Sequence, residues 1–326
     1  MNVSELTAKI QQNIGKVIVG KEEPVSLLLA ALFCGGHVLL DDVPGTGKTT
    51  LAKTLAKSLD CSFSRVQFTP DLLPSDLSGI NYYNQKTGEF VFRKGPLFAS
   101  VVLADEINRA TPRTQSSLLE CMEERQITID GETRVLPAPF LVIATQNPVE
   151  TAGTFPLPEA QLDRFFMRLQ MGYPTKTEGV EILSRFQTAS PLAEITPVAS
   201  AADVLAAGRA CAEVFVSGAV KEYIWGILEE TRTHQRVSLG VSPRGGLALM
   251  RAAQARAAIE GCAYVTPDHV RRMAPHVLAH RLVLKGQNLF SQALRAADII
   301  GEALDRTTAP TETGVPDPDA AGKPTP

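Results

Sequence analysis

The sequence predicts an α/β fold, a parallel five-stranded sheet covered by helices, followed by a small all-helical domain. Three observations carry that prediction. Short apolar or β-branched runs recur between helical segments, at Val38 to Leu40, Phe63 to Phe68, Val101 to Leu103, Phe140 to Thr145 and Phe166 to Met171, as strands buried on both faces of a parallel sheet do. The first run breaks into Asp42-Val43-Pro44-Gly45-Thr46-Gly47-Lys48-Thr49 and then into a helix-forming stretch. Beyond Tyr173-Pro174 the runs cease, and the chain becomes rich in Ala, Leu, Glu and Arg. Its 326 residues suffice for two domains. We place them at 1–173 and 174–306, with 307–326 a Pro-rich tail too poor in apolar residues to fold.

Taken in order, Leu6, Ile10 and Ile14 recur at helical spacing, and a second helix follows Pro24 through Leu27, Leu28 and Leu32. The strand rhythm is then interrupted twice. Gly79 to Lys94 is rich in Tyr, Asn and Phe around Lys86-Thr87-Gly88, and Gln126 to Leu136 alternates about Asp130-Gly131, a strong hairpin signal. In the second domain Ser242-Pro243 and Thr266-Pro267 each read as an N-cap followed by proline at the first helical position. Trp225 is expected in the core of that domain, and the Ala-rich segment Arg251 to Arg256 as a solvated helix.

The chemistry starts at the first strand. A buried strand that turns through Gly45 and Gly47 into a helix presents backbone N–H groups and the positive helix end to an anion, a phosphate loop. Pro44, Gly45, Thr46, Gly47 and Thr50 would form that cradle; Lys48 would reach the β- and γ-phosphates, and the Thr49 hydroxyl would ligate Mg²⁺. Asp42 stands where the G-x-x-x-x-G-K-[ST] pattern has its first glycine, so its carboxylate must point away from the phosphates. Val101-Val102-Leu103-Ala104-Asp105-Glu106 is a strand ending in two acids: Asp105 would hold Mg²⁺ directly or through water, and Glu106 would orient and deprotonate the attacking water. Ile143-Ala144-Thr145-Gln146-Asn147 ends another strand, and Asn147 would enter the same crevice and bond the γ-phosphate or the water. Arg164 lies where a loop meets the last strand, and Arg244 at the second position of the helix opened by Ser242-Pro243, where a fixed charge joins free amides.

Composition bounds the alternatives. With 32 basic and 35 acidic residues, a formal charge of −3 exerts no global pull on nucleic acid or anionic lipid. The five cysteines are scattered without a C-x-x-C pair, which fits a reduced, cytoplasmic compartment. No signal-peptide core opens the sequence, and the apolar run from Val25 to Leu40 is cut by Gly35, Gly36 and His37, so no membrane insertion is expected. His276 and His280 stand one helical turn apart, but no third ligand accompanies them.

The order of phosphate loop, Asp105-Glu106, Asn147, Leu-Asp-Arg164-Phe and Ser-Pro-Arg244, with its two insertions, resembles the AAA+ ATPases of the helix-2-insert group. Four segments narrow the resemblance to the MoxR family: Phe68-Thr-Pro-Asp-Leu-Leu-Pro-Ser-Asp-Leu-Ser-Gly79, Asp105-Glu-Ile-Asn-Arg-Ala110, Ala144-Thr-Gln-Asn-Pro148 and Pro158-Glu-Ala-Gln-Leu-Asp-Arg-Phe165. The likeness spans about residues 4 to 300, and some MoxR members share the wording around Asp42. It implies ATP and Mg²⁺ as cofactors, Asp105 and Glu106 as the Walker B acids, Asn147 as first sensor and Arg244 as second sensor on the lid. It also implies that Arg164 is an arginine finger given to a neighbouring subunit and that Val19-Gly20 packs on adenine; should Arg164 fail in that role, Arg168 is the next candidate. The family further implies homo-oligomeric rings, usually hexamers, acting as chaperones on client proteins, which often carry a von Willebrand factor A domain or need a metal cofactor installed. A DNA-dependent motor or helicase is the alternative, since relatives grip nucleic acid with the hairpin before the first sensor. Here that hairpin carries Asp130 and Glu132 against Arg134 alone, which argues against a phosphate track. A GTPase would need a guanine-reading Asn-Lys-x-Asp segment, and Thr175-Lys-Thr-Glu178 falls short of it.

Overall fold

The computed structural model describes residues 2–41, 45–146, 153–187, 190–286 and 289–310, of 289–295 the backbone only. The chain divides into two compact units, Met1–Ala212 and Glu213–Pro326. The first opens with α1 (Val3–Gly15) and α2 (Glu22–Phe33). Leu6, Ile10 and Ile14 form the buried stripe of α1, whose N-cap Asn2 accepts the Ser4 N–H at 3.3 Å. α2 is buried continuously from Val25 to Phe33 and tolerates Pro24 because it falls in the first turn. There follow β1 (Val38–Asp41), α3 (Lys48–Ser58), β2 (Phe63–Gln67), α4 (Pro74–Ser78), the hairpin of β3 (Gly79–Asn84) and β4 (Glu89–Lys94), and β5 (Val101–Asp105). Then come α5 (Pro112–Glu124), the hairpin of β6 (Gln126–Ile129) and β7 (Glu132–Val135), β8 (Leu141–Gln146), α6 (Glu159–Leu162) and β9 (Met167–Leu169).

The sheet is five-stranded, in the order β2-β5-β8-β1-β9, with every pairing parallel. One face buries Leu39, Val102, Ala104, Val142 and Ala144 with Leu118 and Leu119 of α5 and the rings of Phe68, Phe140 and Phe165. The alternate residues Val38, Leu40, Val101, Leu103 and Ile143 are also buried, on the opposite face. Burial on both faces is why these strands read as unbroken apolar runs. Because all strands run the same way, the ends of β1, β2, β5 and β8 share one edge, where a ligand of such a sheet lies.

His37 closes the other edge. Its Nδ1 accepts the Val142 N–H at 3.0 Å, its Nε2 lies 3.0 Å from the Met122 carbonyl, and its ring meets Phe140 edge-on at 5.5 Å between centroids. That pairing needs a neutral imidazole with its proton on Nε2, and burial lowers the pKa to about 4. Below pH 6.5 the unfolded chain takes up a proton that the folded chain refuses until about pH 4, so stability is full above 6.5 and falls across that window. By pH 5 His37 alone should cost about 2 kcal/mol of folding free energy. Denaturant titrations of the wild-type and His37→Asn chains at pH 7 and pH 5 check this, the variant showing the shallower pH dependence.

Both expected hairpins are present. Asp130 and Gly131 take φ of 50° and 83°, as a two-residue turn of the favoured twist demands. The β3–β4 hairpin is pinched at its base, where a Cβ on Gly95 would lie 2.2 Å from the Leu77 carbonyl and one on Gly79 2.2 Å from that of Arg93. The hairpins join each other: Asn81 donates to Asp130 at 2.7 Å, and the Arg134 guanidinium stacks over Phe92 at 4.1 Å. Tyr82, Tyr83 and Phe90 stay exposed, Phe90 at 74 %.

Two further helices, α7 (Lys176–Arg185) and α8 (Ala201–Glu213), belong by contact with this unit. Around them Lys57 donates to the Leu192 and Ala193 carbonyls at 2.9 and 3.0 Å, and Asn13 to the Thr196 carbonyl at 2.9 Å. The division by contact therefore falls at 212/213, past the change in composition at Tyr173-Pro174.

The second unit holds α9 (Gly218–Thr233), β10 (Val237–Leu239), α10 (Pro243–Ile259), α11 (Pro267–Leu278), β11 (Val283–Leu284) and α12 (Leu289–Arg306), helical but for the β10–β11 ribbon. Ser242 and Thr266 cap α10 and α11, each with proline at the first position. Two expectations are corrected here. Arg251 to Arg256 is not a solvated stretch: Ala252, Ala253 and Ala255 are fully buried and Gln254 and Arg256 nearly so, because alanine lets α9 and α11 close in on α10. Trp225 is not core: the residue is 45 % exposed, with Nε1 donating to Glu229 at 2.9 Å and Arg232 above its ring at 4.9 Å. Burial pushes the thiols of Cys121 and Cys211 up to about 12, so neither is reactive near neutral pH. Among the described residues no helix is long and apolar enough to cross a membrane. Of the tail, residues 311–326 lie outside the described residues.

Candidate functional site

At the strand ends of the first unit lies a cleft of about 400 Å³ lined by Gly45, Gly47, Lys48, Thr49, Thr50, Arg65, Gln67, Asp105, Glu106 and Thr145. That volume suits a small-molecule ligand. β1 delivers the chain to the cleft and α3 carries it away. Gly45 and Gly47 take φ of 83° and 86°, a backbone shape that other residues rarely adopt, and Gly47 caps α3 with no side-chain bond. The first-turn amides of α3 are thus left to an anion, with Lys48 beside them.

The two acids line the same cleft. Asp105 ends β5 with its Oδ1 accepting from Thr145 Oγ1 at 2.7 Å and its Oδ2 from Arg65 Nη2 at 2.7 Å. Glu106 adopts a left-handed backbone, φ 56° and ψ 51°, a strained choice for a residue with a side chain and one that clusters at functional sites. Its N–H is held by Thr145 Oγ1 at 2.8 Å, and its Oε2 accepts from Gln67 Nε2 at 2.8 Å and Arg109 Nη1 at 3.0 Å. Thr49 and Asp105 bring hard oxygen donors to the same cleft, a donor set that fits a small divalent cation such as Mg²⁺.

Of the residues expected here, the structure gathers Gly45, Gly47, Lys48, Thr49, Thr50, Asp105 and Glu106 in one cleft. Val19 is buried and Gly20 turns the chain at φ 66°; with Thr46 they lie outside the cleft lining. Asp42, Pro44 and Asn147 lie outside the described residues. Arg244 is exposed on the first turn of α10, in the second unit. Arg164 sits between α6 and β9, its Nε 3.3 Å from Glu123. The next residues but one bond to the start of β1, Phe166 N–H to the His37 carbonyl at 2.8 Å. Arg164 is therefore at the strand edge opposite the cleft, separated from it by the length of β1, about 13 Å at the usual rise. Arg168 reaches Asp41 at the base of the phosphate loop and pairs with it.

Four residues of the site escaped the sequence reading: Arg65, Gln67, Thr145 and Arg109. Thr145 had a signal, being in the motif before Asn147, but its role depends on register. Pairing of Ala104 with Ala144 sets Thr145 beside Asp105, where one hydroxyl both donates to the carboxylate and accepts the Glu106 N–H. Thr145→Val keeps the shape and removes both bonds. It should slow the ATP turnover that the MoxR resemblance implies about 10- to 100-fold while ATP affinity changes little, to be read by single-turnover assay beside equilibrium binding.

Residues 37–167 match the ATPase family associated with various cellular activities (AAA), and residues 229–303 the AAA lid domain. The uncharacterized Bacillus subtilis protein YeaC is 48 % identical over 94 % of this chain and 96 % of its own length. Chaperone MoxR1 of Mycobacterium tuberculosis is 40 % identical over 93 % of this chain and 82 % of its own length. Protein MoxR of Methylorubrum extorquens is 32 % identical over 94 % and 96 %. A crystal structure from Cytophaga hutchinsonii, of a protein assigned as an ATPase, superposes with a TM-score of 0.87 at 38 % identity, covering 95 % of this chain and 96 % of that one.

Proposed function

The chain belongs to the MoxR family of AAA ATPases, and from that premise we propose that it hydrolyses ATP with Mg²⁺ in a ring of identical subunits and uses the cycle to remodel client proteins. The observation that carries the reading is the one cleft that Lys48 and Thr49 share with Asp105 and Glu106. Lys48 and the α3 amides bind the phosphates; Thr49 and Asp105 would hold the metal, which when bound neutralises charge on the β- and γ-phosphates. Glu106, clamped by Gln67, Arg109 and Thr145, orients the attacking water and takes its proton. Arg164 lies at the sheet edge away from its own cleft, so the phosphate it meets is a neighbouring subunit's. Asn147 and Arg244 act as first and second sensors, and Val19-Gly20 backs the adenine.

A protein client is favoured over nucleic acid by the joined hairpins, which present the exposed aromatics Tyr82, Tyr83 and Phe90 beside the acids Asp130 and Glu132. Clients with a von Willebrand factor A domain, or ones awaiting a metal cofactor, are the first to test, in the cytoplasm. Phosphate release by the purified chain, with and without DNA, tests the reading. Turnover that needs Mg²⁺ and ignores DNA is expected, with oligomers formed on adding ATP; turnover that rises steeply with DNA would assign the chain to the motors.

A further inference from the structure

The oxygen that Asp105 would offer to a divalent ion also carries a side-chain cation. Arg65, on the edge strand β2, directs two N–H groups at Asp105 Oδ2, Nη2 at 2.7 Å and Nε at 3.1 Å. The other carboxylate oxygen is engaged by Thr145. The same Nη2 donates to Gln67 Oε1 at 3.0 Å, and the Gln67 amide nitrogen donates to Glu106 Oε2 at 2.8 Å. One guanidinium is thereby tied to both acids, directly and through a single amide. All of these groups line the cleft with Lys48, so among the described residues the charged side chains of its lining balance, Lys48 and Arg65 against Asp105 and Glu106.

Such a cation acts in opposite senses on the two things the cleft would bind. A divalent ion placed on Asp105 is repelled by the guanidinium and must displace it from Oδ2. A polyphosphate is attracted by it. Unit charges about 4 Å apart interact by roughly 1 to 4 kcal/mol between bulk water and a protein surface, and the half-exposed Arg65 side chain lies toward the screened end of that range.

We propose, on the basis of the ATPase reading, that Arg65 is a positioning residue that makes metal uptake follow nucleotide. It occupies Asp105 Oδ2 as a counter-ion against a bare divalent cation, strengthens the hold on the incoming triphosphate, and releases the carboxylate when the phosphates supply the charge that draws the metal in. Through Gln67 the same residue keeps the Glu106 carboxylate in register with Asp105.

Removing the charge should therefore move two affinities in opposite directions, which a merely structural role would not. In Arg65→Met, which keeps an apolar stem on an exposed strand, Mn²⁺ binding to the nucleotide-free chain, read from the free-ion paramagnetic resonance signal, should tighten about 10-fold. ATP binding in the presence of EDTA, read by calorimetry, should weaken about 10-fold. Arg65→Lys, which keeps the charge but not the forked geometry, should move both affinities in the same directions as Arg65→Met but by less. Affinities that fall together in Arg65→Met, or that do not change, overturn the proposal. Failure of the wild-type chain to bind ATP with or without metal would instead remove the ATPase reading, while the Mn²⁺ measurement would still report on Arg65.

Discussion

Arg164→Ala chains should bind ATP as the wild type does and hydrolyse it about 10³- to 10⁵-fold more slowly, the range known for an arginine supplied in trans to a GTPase. The structure gives two reasons to expect a loss in rate without a loss of fold. Arg164 lies at the opposite end of β1 from its own phosphate loop, at the level of the Phe166 to His37 bond, so its removal leaves its own nucleotide contacts untouched. Its pairing with Glu123 is between side chains 32 % and 38 % exposed, and a surface pair of this kind is worth about 0 to 1 kcal/mol. A normal melting curve with normal ATP affinity and a collapsed turnover number is the expected signature. Arg168 does not offer an equivalent finger, since its guanidinium is paired with the buried Asp41 inside the same chain.

Lys48→Ala should remove nucleotide binding rather than turnover. Lys48 is the first residue of α3 and the basic side chain on the phosphate-loop wall of the cleft. Each unit of phosphate charge within about 4 Å of it contributes roughly 1 to 4 kcal/mol, so the loss over two phosphates, about 2 to 8 kcal/mol, amounts to about 30-fold at the least and up to about 10⁶-fold in affinity. Alanine suits a helix start and no core contact is lost, so the fold should be unchanged. Calorimetric titration with ATP checks this, and wild-type affinity would refute the phosphate-loop assignment.

Much of this site was legible in the sequence because its chemistry is local. Gly45 and Gly47 announce a turn that few other residues can make, Asp105-Glu106 follow an apolar run too uniform to be anything but a buried strand, and Asp130-Gly131 fixes a hairpin by its φ requirement alone. The parts that escaped are those made between strands. Arg65 and Gln67 look like the solvent-facing alternation of any edge strand, and only the register of β2 with β5, Gln67 against Asp105, turns them toward the acids. The second unit was misjudged for a related reason: the alanines of α10 look polar-neutral in a window, yet their small side chains are what lets neighbouring helices bury them, while Trp225 lies at the surface between Glu229 and Arg232 instead of in a core.

The most direct measurement mixes two inactive chains. On the proposed roles Glu106→Gln lacks the base and Arg164→Ala lacks the finger, so neither should hydrolyse ATP in a ring of its own kind. In an equal mixture roughly a quarter of head-to-tail interfaces pair an intact Glu106 with a neighbour's intact Arg164. A site completed in trans predicts that ATPase activity appears on mixing, well above the sum of the separate chains. Wild-type turnover by Arg164→Ala alone under assembling conditions would contradict it.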